Sequence, residues 1–332
     1  EVPKERWDIN EYYDPKNKGK AYGKWGGFIP HMECFDSLFF NISPKEAELM
    51  DPQERKFIEV AYHTFEDAGY SKKTIKERLN GRIGVFVGAM FNDYLLYSGK
   101  KDENSYQSTG AVSASISNRI SYFLNLNGPS MTVNTMCSSV ISCLDLAINS
   151  IKNGECDAAL VGGVNLIVHP NKYIMHSHNR MLSDDGLCRA FGKGGNGFVP
   201  AEGVGAILIK PLKNAEDDND KIYAVIRGVG VNHGGKSNGY MVPNSIAQAD
   251  LIESMLRKAK IKPEDIGYVE AHGTGTELGD PIEIKGLTSA YSKFTDKKGY
   301  CPIGSVKANI GHCESAAGIA SITKILLQIK QL

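Results

Sequence analysis

From Arg82 onward, short apolar runs rich in β-branched residues alternate with segments of helical spacing, and few architectures accept that order. Residues 83–87 read as a buried strand. Ile116, Ile120, Phe123 and Leu124 keep helical spacing until Asn127, Gly128 and Pro129 end the run. A strand at 131–135 feeds a helix at 138–152, whose Val140, Ile141, Leu144, Ala147, Ile148 and Ile151 form an apolar stripe. Strands at 158–164 and 205–210 are separated by a helix near 171–181 and a glycine-rich loop. Past the polar turn 217–220, strands at 222–229, 266–270 and 303–306 alternate with helices at 246–259, 280–291 and 315–327. The pattern predicts a layered α/β protein with sheets buried on both faces. The expected halves are 1–216 and 217–332; they share no sequence repeat, so their kinship is a matter of topology.

The first eighty residues predict loops and helices rather than sheet. Ser43-Pro44-Lys45-Glu46 and Asp51-Pro52-Gln53-Glu54 each place a cap, a proline at the first helical position and a glutamate at the third. The second should open a helix over 52–68, closed by Gly69.

Composition excludes several classes of function. Thirty-eight basic and 38 acidic residues cancel, leaving no electrostatic footprint for nucleic acid or an anionic membrane. No apolar run is long enough to span a bilayer, and the first residues carry no signal-peptide pattern. Seven cysteines (34, 137, 143, 156, 188, 301, 313) show neither CxxC nor Cys/His zinc spacing, so no metal is expected and the setting reads as reducing and cytosolic.

Three strand-to-helix junctions carry reactive side chains. Cys137 stands at the mouth of the predicted helix 138–152, where unpaired N–H groups and the helix dipole favour thiolate. Position alone serves equally for a buried cysteine opening a packed helix. His272 ends an apolar strand and precedes Gly273-Thr-Gly-Thr276, whose glycines would leave room for a passing ligand arm and whose Thr274 and Thr276 offer hydroxyls. Asp280-Pro281-Ile282-Glu283 then reads as a capping box. A histidine at a strand end is commonly a satisfied structural residue. His312 lies in Asn309-Ile-Gly-His312, with Lys307 before it and Glu314 after it; a lone HxE lacks a third metal ligand at suitable spacing.

The combination says more than its parts. A thiolate can hold an acyl group, and two imidazoles can donate hydrogen bonds to an oxygen on which enolate charge develops. Those are the needs of a decarboxylative Claisen condensation. A cysteine protease would use one histidine and an orienting Asn or Asp, leaving the second histidine idle.

At these residues the chain resembles the β-ketoacyl synthase (ketosynthase) domains of bacterial modular polyketide synthases, of thiolase-like fold. The resemblance runs through Phe39-Phe-Asn-Ile-Ser-Pro44, Met50-Asp-Pro-Gln53, Gly128-Pro-Ser130, the Cys137 junction, Glu270-Ala-His-Gly-Thr-Gly-Thr276, Gly279-Asp-Pro-Ile-Glu283 and Ser305-Val-Lys-Ala-Asn-Ile-Gly-His312. It implies a layered α-β-α-β-α fold from two related βα halves. It implies Cys137 as acyl-accepting nucleophile and His272 with His312 as the pair that drives decarboxylation. Lys307, Asn309 and Glu314 would support the His312 side. Thr274 and Thr276 would contact the phosphopantetheine arm of an acyl carrier protein, with no cofactor bound to the chain itself. The implied setting is a cytoplasmic homodimer, in polyketide or fatty acid biosynthesis, working beside neighbouring synthase domains. Asp51-Pro-Gln-Glu-Arg55, Cys188-Arg-Ala-Phe-Gly-Lys-Gly-Gly195 and Gly235-Lys-Ser-Asn-Gly-Tyr240 point to assembly lines served by a separate acyltransferase.

Several features depart from that family. Met136 replaces the usual Ala before the nucleophile and could line the acyl pocket. Asn134 replaces an Asp and Val140 a Ser, removing no catalytic group. The family's opening strand and its late Gly-Phe-Gly-Gly-Thr-Asn loop lie outside 1–332, so the expectation is a domain truncated at both ends, poorly soluble or inactive as it stands. A ketosynthase that only transfers acyl chains usually lacks the middle histidine. A thiolase would pair one His with a second catalytic Cys, and a non-catalytic chain-length partner would lack Cys137.

Overall fold

The structure, a computed structural model, describes residues 1–98 and 112–331. In chain order the first helices are α1 (Ile9–Tyr12), α2 (Pro44–Leu49), α3 (Pro52–Asp67) and α4 (Lys72–Leu79). The alternation follows: β1 (Ile83–Gly88), α5 (Leu95–Ser98), α6 (Ala114–Leu124), β2 (Ser130–Val133), α7 (Ser139–Lys152), β3 (Ala158–Asn165), α8 (Asn171–His178), β4 (Gly203–Ile209) and α9 (Leu212–Asp217). The last elements are α10 (Ser245–Ala259), β5 (Val269–Glu270), α11 (Gly279–Tyr291), β6 (Ile303–Gly304), α12 (Lys307–Ile310) and α13 (Ala317–Gln331). Two compact units share the chain discontinuously. One holds Glu1–Gly27, Lys172–Pro200 and Ile226–His312; the other holds Phe28–Asn171, Ala201–Val225 and Cys313–Leu332.

The second of these units is built on a sheet of order β2-β1-β3-β4. β1 runs parallel to β2 and β3, while β4 returns antiparallel along β3. β1 and β3 are buried along their whole length, which explains their unbroken apolar sequences: both faces are covered. The two faces separate at adjacent glycines of β3. A Cβ on Gly162 would lie 2.8 Å from the Phe57 ring of α3, and one on Gly163 would lie 2.6 Å from Val140 of α7. Side chains alternate along a strand, so α3 and α7 cover opposite faces. The α3 side collects Phe57, Ile58, Ala61, Phe65, Val85, Val87, Ile116 and Ile120 into one core. On the other side Val140 meets Ala201, Ala316 and Ile319.

The other unit carries a short parallel ladder, Val269 opposite Ile303 and Glu270 opposite Gly304, with α10 and α11 packed on each other. The expected strand over 266–270 shortens because Pro263–Asp265 forms a 3-10 turn, closed by the Ile266 N–H donating to the Pro263 carbonyl. Its partner β6 ends at Gly304, three residues before Lys307 opens α12. The expected strand 222–229 is absent. It has no ladder partner among the described residues, and Ile222, Tyr223, Val225 and Ile226 stay 42–49% exposed. β-branched composition favours a strand only where a neighbour supplies hydrogen bonds.

Both helix starts are where the caps and prolines place them, and the Glu54 side chain departs from a capping box. Ser43 does accept from the Glu46 N–H at 3.2 Å. Asp51 caps α3, but through the Gln53 N–H at 2.8 Å, and Glu54 turns away to the Ser115 hydroxyl and the Arg119 guanidinium. A partly buried cation attracts that carboxylate more strongly than a backbone N–H does. Gly69 closes the helix at φ 78°, as its position suggests.

Candidate active site

Cys137 sits on a sharp turn between β2 and α7. Met136 adopts left-handed φ, 58°, a conformation that costs an ordinary residue about 1–2 kcal/mol. Hydroxyls and one amide hold the turn. The Asn134 side-chain oxygen accepts from the Met136 N–H at 3.0 Å, and its amide nitrogen donates to the Met90 carbonyl at 3.2 Å. Ser139 Oγ accepts from the Thr135 N–H at 3.0 Å and donates to the Met136 carbonyl at 2.6 Å. Ser138 Oγ donates to the Thr135 carbonyl at 2.7 Å. Asn134 therefore has a positioning task of its own. The helix begins at Ser139 rather than Ser138, so Cys137 precedes the cap residue by one position. Cys137 is half-buried, whereas Cys143 and Cys156 are buried. Burial pushes the Cys143 thiol up to about 12 and raises that of Cys156, which leaves both inert. Met136 is 57% exposed.

His272 and His312 meet within the other unit. Their ring centroids are 5.4 Å apart at 84°, and His312 also meets Phe198 edge-on at 5.0 Å. His312 is 2% exposed; its N–H donates to the Val199 carbonyl at 2.7 Å. Solvent reaches one side of His272, yet the surrounding protein dehydrates its imidazole and the Lys307 ammonium adds to the effect. Both hold it below the ordinary histidine value. Both causes favour the neutral imidazole.

Three carboxylates that sequence reasoning missed fix the loop under His272. Glu283 accepts from the His272 N–H at 2.7 Å and the Gly273 N–H at 2.8 Å. Asp280 accepts from the Gly275 N–H at 3.1 Å and the Phe191 N–H at 2.6 Å. Glu270 accepts from the Val306 N–H at 2.6 Å, while Ser305 Oγ donates to the His272 carbonyl at 3.1 Å. The expected capping box of α11 is thus absent: the cap residue is Leu278, with no side-chain bond, and both acidic groups serve the preceding loops. The signal was present as acids eight and eleven residues beyond His272, but spacing alone cannot tell a cap from a clamp. The glycines are required by the protein's own packing. Gly273 has φ 45°, and a Cβ there would stand 2.7 Å from Ser305 Cβ; Gly275 has φ 70°, with Arg189 N at 2.9 Å from its Cβ position.

Lys307 is 3% exposed. Its charge acts on His272, on Glu283, whose pKa burial raises, and on Cys188, whose thiol burial also raises. Thr274 and Thr276 place their hydroxyls 3.0 Å apart, and Thr276 Oγ1 accepts from the Gly279 N–H at 3.2 Å. Asn309 is exposed on α12. Glu314 is 1% exposed and left-handed, φ 45°, at the start of the 3-10 turn before α13.

Residues 1–215 match the N-terminal domain of the β-ketoacyl synthase family and residues 223–332 its C-terminal domain. Polyketide synthase PksL of Bacillus subtilis is 52% identical over 338 residues, spanning 99% of this chain and 7% of that protein. ThaG of Burkholderia thailandensis is 53% identical over 336 residues, spanning 99% of this chain and 6% of that protein. The oxazolomycin ketosynthase domain OzmH KS7 of Streptomyces albus JA3453 superposes with a TM-score of 0.96 at 48% identity, covering 100% of this chain and 58% of that one. The ketosynthase from module 6 of the Bacillus subtilis bacillaene synthase gives a TM-score of 0.90 at 46% identity, covering 98% and 55%. The chain therefore spans under a tenth of these curated relatives and little more than half of the solved ketosynthase chains.

Proposed function

The chain belongs to the β-ketoacyl synthase family, with the thiolase-like α/β fold of its ketosynthase domains, and on that premise we propose that it extends polyketide chains by decarboxylative Claisen condensation. The observation that carries this reading is the pairing of His272 with His312 at 5.4 Å on a clamped loop. Cys137 thiolate attacks the acyl thioester of a carrier protein; the acyl–sulfur bond to the carrier breaks and a new thioester forms on Cys137. Malonyl thioester on a second carrier then loses CO2, and the electron pair of the broken C–C bond becomes an enolate. His272 and His312 donate hydrogen bonds to the enolate oxygen. The carbanion attacks the Cys137 thioester, expelling thiolate and leaving a β-ketoacyl carrier protein. A neutral His272 suits this role, because a neutral donor stabilises developing charge without needing to be protonated first.

Lys307 is assigned the electrostatic control of the histidine side, with Glu314 and Asn309 as further supports, and Met136 the mouth of the acyl pocket. Thr274 and Thr276 are assigned to the phosphopantetheine arm, since their hydroxyls lie two and four residues past His272. The partners are those the family resemblance implies: acyl carrier domains, neighbouring synthase domains, a separate acyltransferase, and a second copy of the chain. For the homodimer the support is β2, an edge strand with Met131 41% exposed. A cytoplasmic setting agrees with the lack of any described helix long and apolar enough to cross a membrane.

The deciding experiment is incubation with acyl- and malonyl-carrier proteins, following intact mass and CO2 release. The expected outcome is acyl loading lost in Cys137→Ala and CO2 release lost in His272→Ala. Loading that persists in Cys137→Ala would refute the nucleophile, and loading without CO2 release would make the chain a transfer-only ketosynthase.

A further inference from the structure

Far along the chain from Cys137 and both catalytic histidines, the turn after Pro30 gathers an imidazole, a carboxylate and a thiol. One donor atom each from His31, Glu33 and Cys34 lies within 4.8 Å of the others, and all three residues are exposed. His31 Nδ1 is 3.8 Å from Glu33 Oε1, and Cys34 Sγ is 3.8 Å from that same oxygen. Ligands at metal bond lengths of about 2.0–2.3 Å around a tetrahedral ion stand roughly 3.4–3.7 Å apart. The two measured separations are close to that spacing, and the remaining pair lies within 4.8 Å.

The backbone under these side chains is held in place. His31 is left-handed, φ 55°, and its carbonyl accepts from the Cys34 N–H at 3.1 Å, closing the turn. From α3, Arg55 donates to the Glu33 carbonyl at 3.2 Å and Lys56 to the Cys34 carbonyl at 2.7 Å. Met32 and Phe35 pack inward against the core, so the residues around them project outward. The donor set is thus presented from four consecutive residues on a fixed frame, which lowers the ordering cost of binding. Sequence spacing conceals it, because His31-Met-Glu-Cys34 matches neither CxxC nor the common Cys/His pairs.

We propose that the turn 31–34 binds a divalent ion of the zinc type through His31, Glu33 and Cys34, with a fourth position left to water. Nitrogen, oxygen and thiolate sulfur together suit a borderline ion rather than calcium or magnesium. On binding, a sulfur–metal bond forms and the thiol proton passes to water. Arg55 and Lys56 oppose the added positive charge, so affinity falls below that of a four-ligand structural site.

Cobalt(II) titration of the reduced full chain tests this. The expected result is one equivalent bound with a thiolate-to-cobalt charge-transfer band, removed by Zn2+, missing in Cys34→Ser, and at least tenfold weaker in His31→Ala and Glu33→Gln. Cys34 alkylation should also slow at least tenfold with Zn2+ present. A wild-type chain without the band, a band that survives in Cys34→Ser, or unchanged affinity in both other variants would overturn the proposal. All three side chains are exposed, so circular dichroism should show each variant folded.

Discussion

Glu283 holds His272 by its backbone: one carboxylate takes the His272 N–H at 2.7 Å and the Gly273 N–H at 2.8 Å. The backbone beneath the imidazole is thereby fixed. Replacement by glutamine leaves a single acceptor oxygen for two N–H groups. Hydrogen bonds to charged groups contribute about 1.5–3 kcal/mol, so Glu283→Gln should lower malonyl decarboxylation about tenfold or more through kcat. Acyl loading of Cys137, read by intact mass, should be unchanged; a parallel loss of loading would indicate general unfolding instead.

The Lys307 charge acts on His272 across a dehydrated region. Lys307→Met removes the smaller of the two causes that depress the imidazole pKa. It should therefore rise, while burial still keeps it below the ordinary histidine value. An NMR titration of the His272 ring reads this directly, and a pKa that stays put or falls would contradict the assignment.

Met136 pays a conformational cost that a glycine would not. Met136→Gly should melt a few degrees above Met136→Ala in calorimetry, because alanine keeps the left-handed strain. A β-branched valine at the same place should melt lowest of the three.

Asp51 caps α3 with its carboxyl buried, and burial raises its pKa from 3.8 to about 6. The folded state thus binds the proton more tightly than the unfolded chain. The associated stability is fully present below the unfolded value of about 3.9 and is lost as pH rises through about 6. That loss is on the order of 3 kcal/mol. Asparagine caps a helix about as well. Asp51→Asn should flatten urea stability between pH 4 and pH 6, and an unchanged slope would place the titration elsewhere.

Much of the site was legible because its chemistry is local. Cys137 had to follow a strand and precede a helix, and the structure puts it on that turn. The glycines after His272 marked an unusual backbone, and Ser305 and Arg189 stand where their Cβ atoms would be. Asp280 and Glu283 were visible as residues and misread in role. A carboxylate near a helix start satisfies whichever N–H groups surround it, and only folding brings the His272 loop to α11.

The sequence by itself determined the alternation of strands and helices, the buried character of β1 and β3, and the presence of one thiol and two imidazoles at element ends. Periodicity and residue chemistry are local properties, carried by the chain wherever it goes. Tertiary structure decided that His272 and His312 stand face to edge, that Lys307 is buried where its charge reaches His272, and that 222–229 finds no ladder among the described residues. Those outcomes depend on which distant segments meet, and hydrogen bonds and charges take their energy from such meetings rather than from order along the chain.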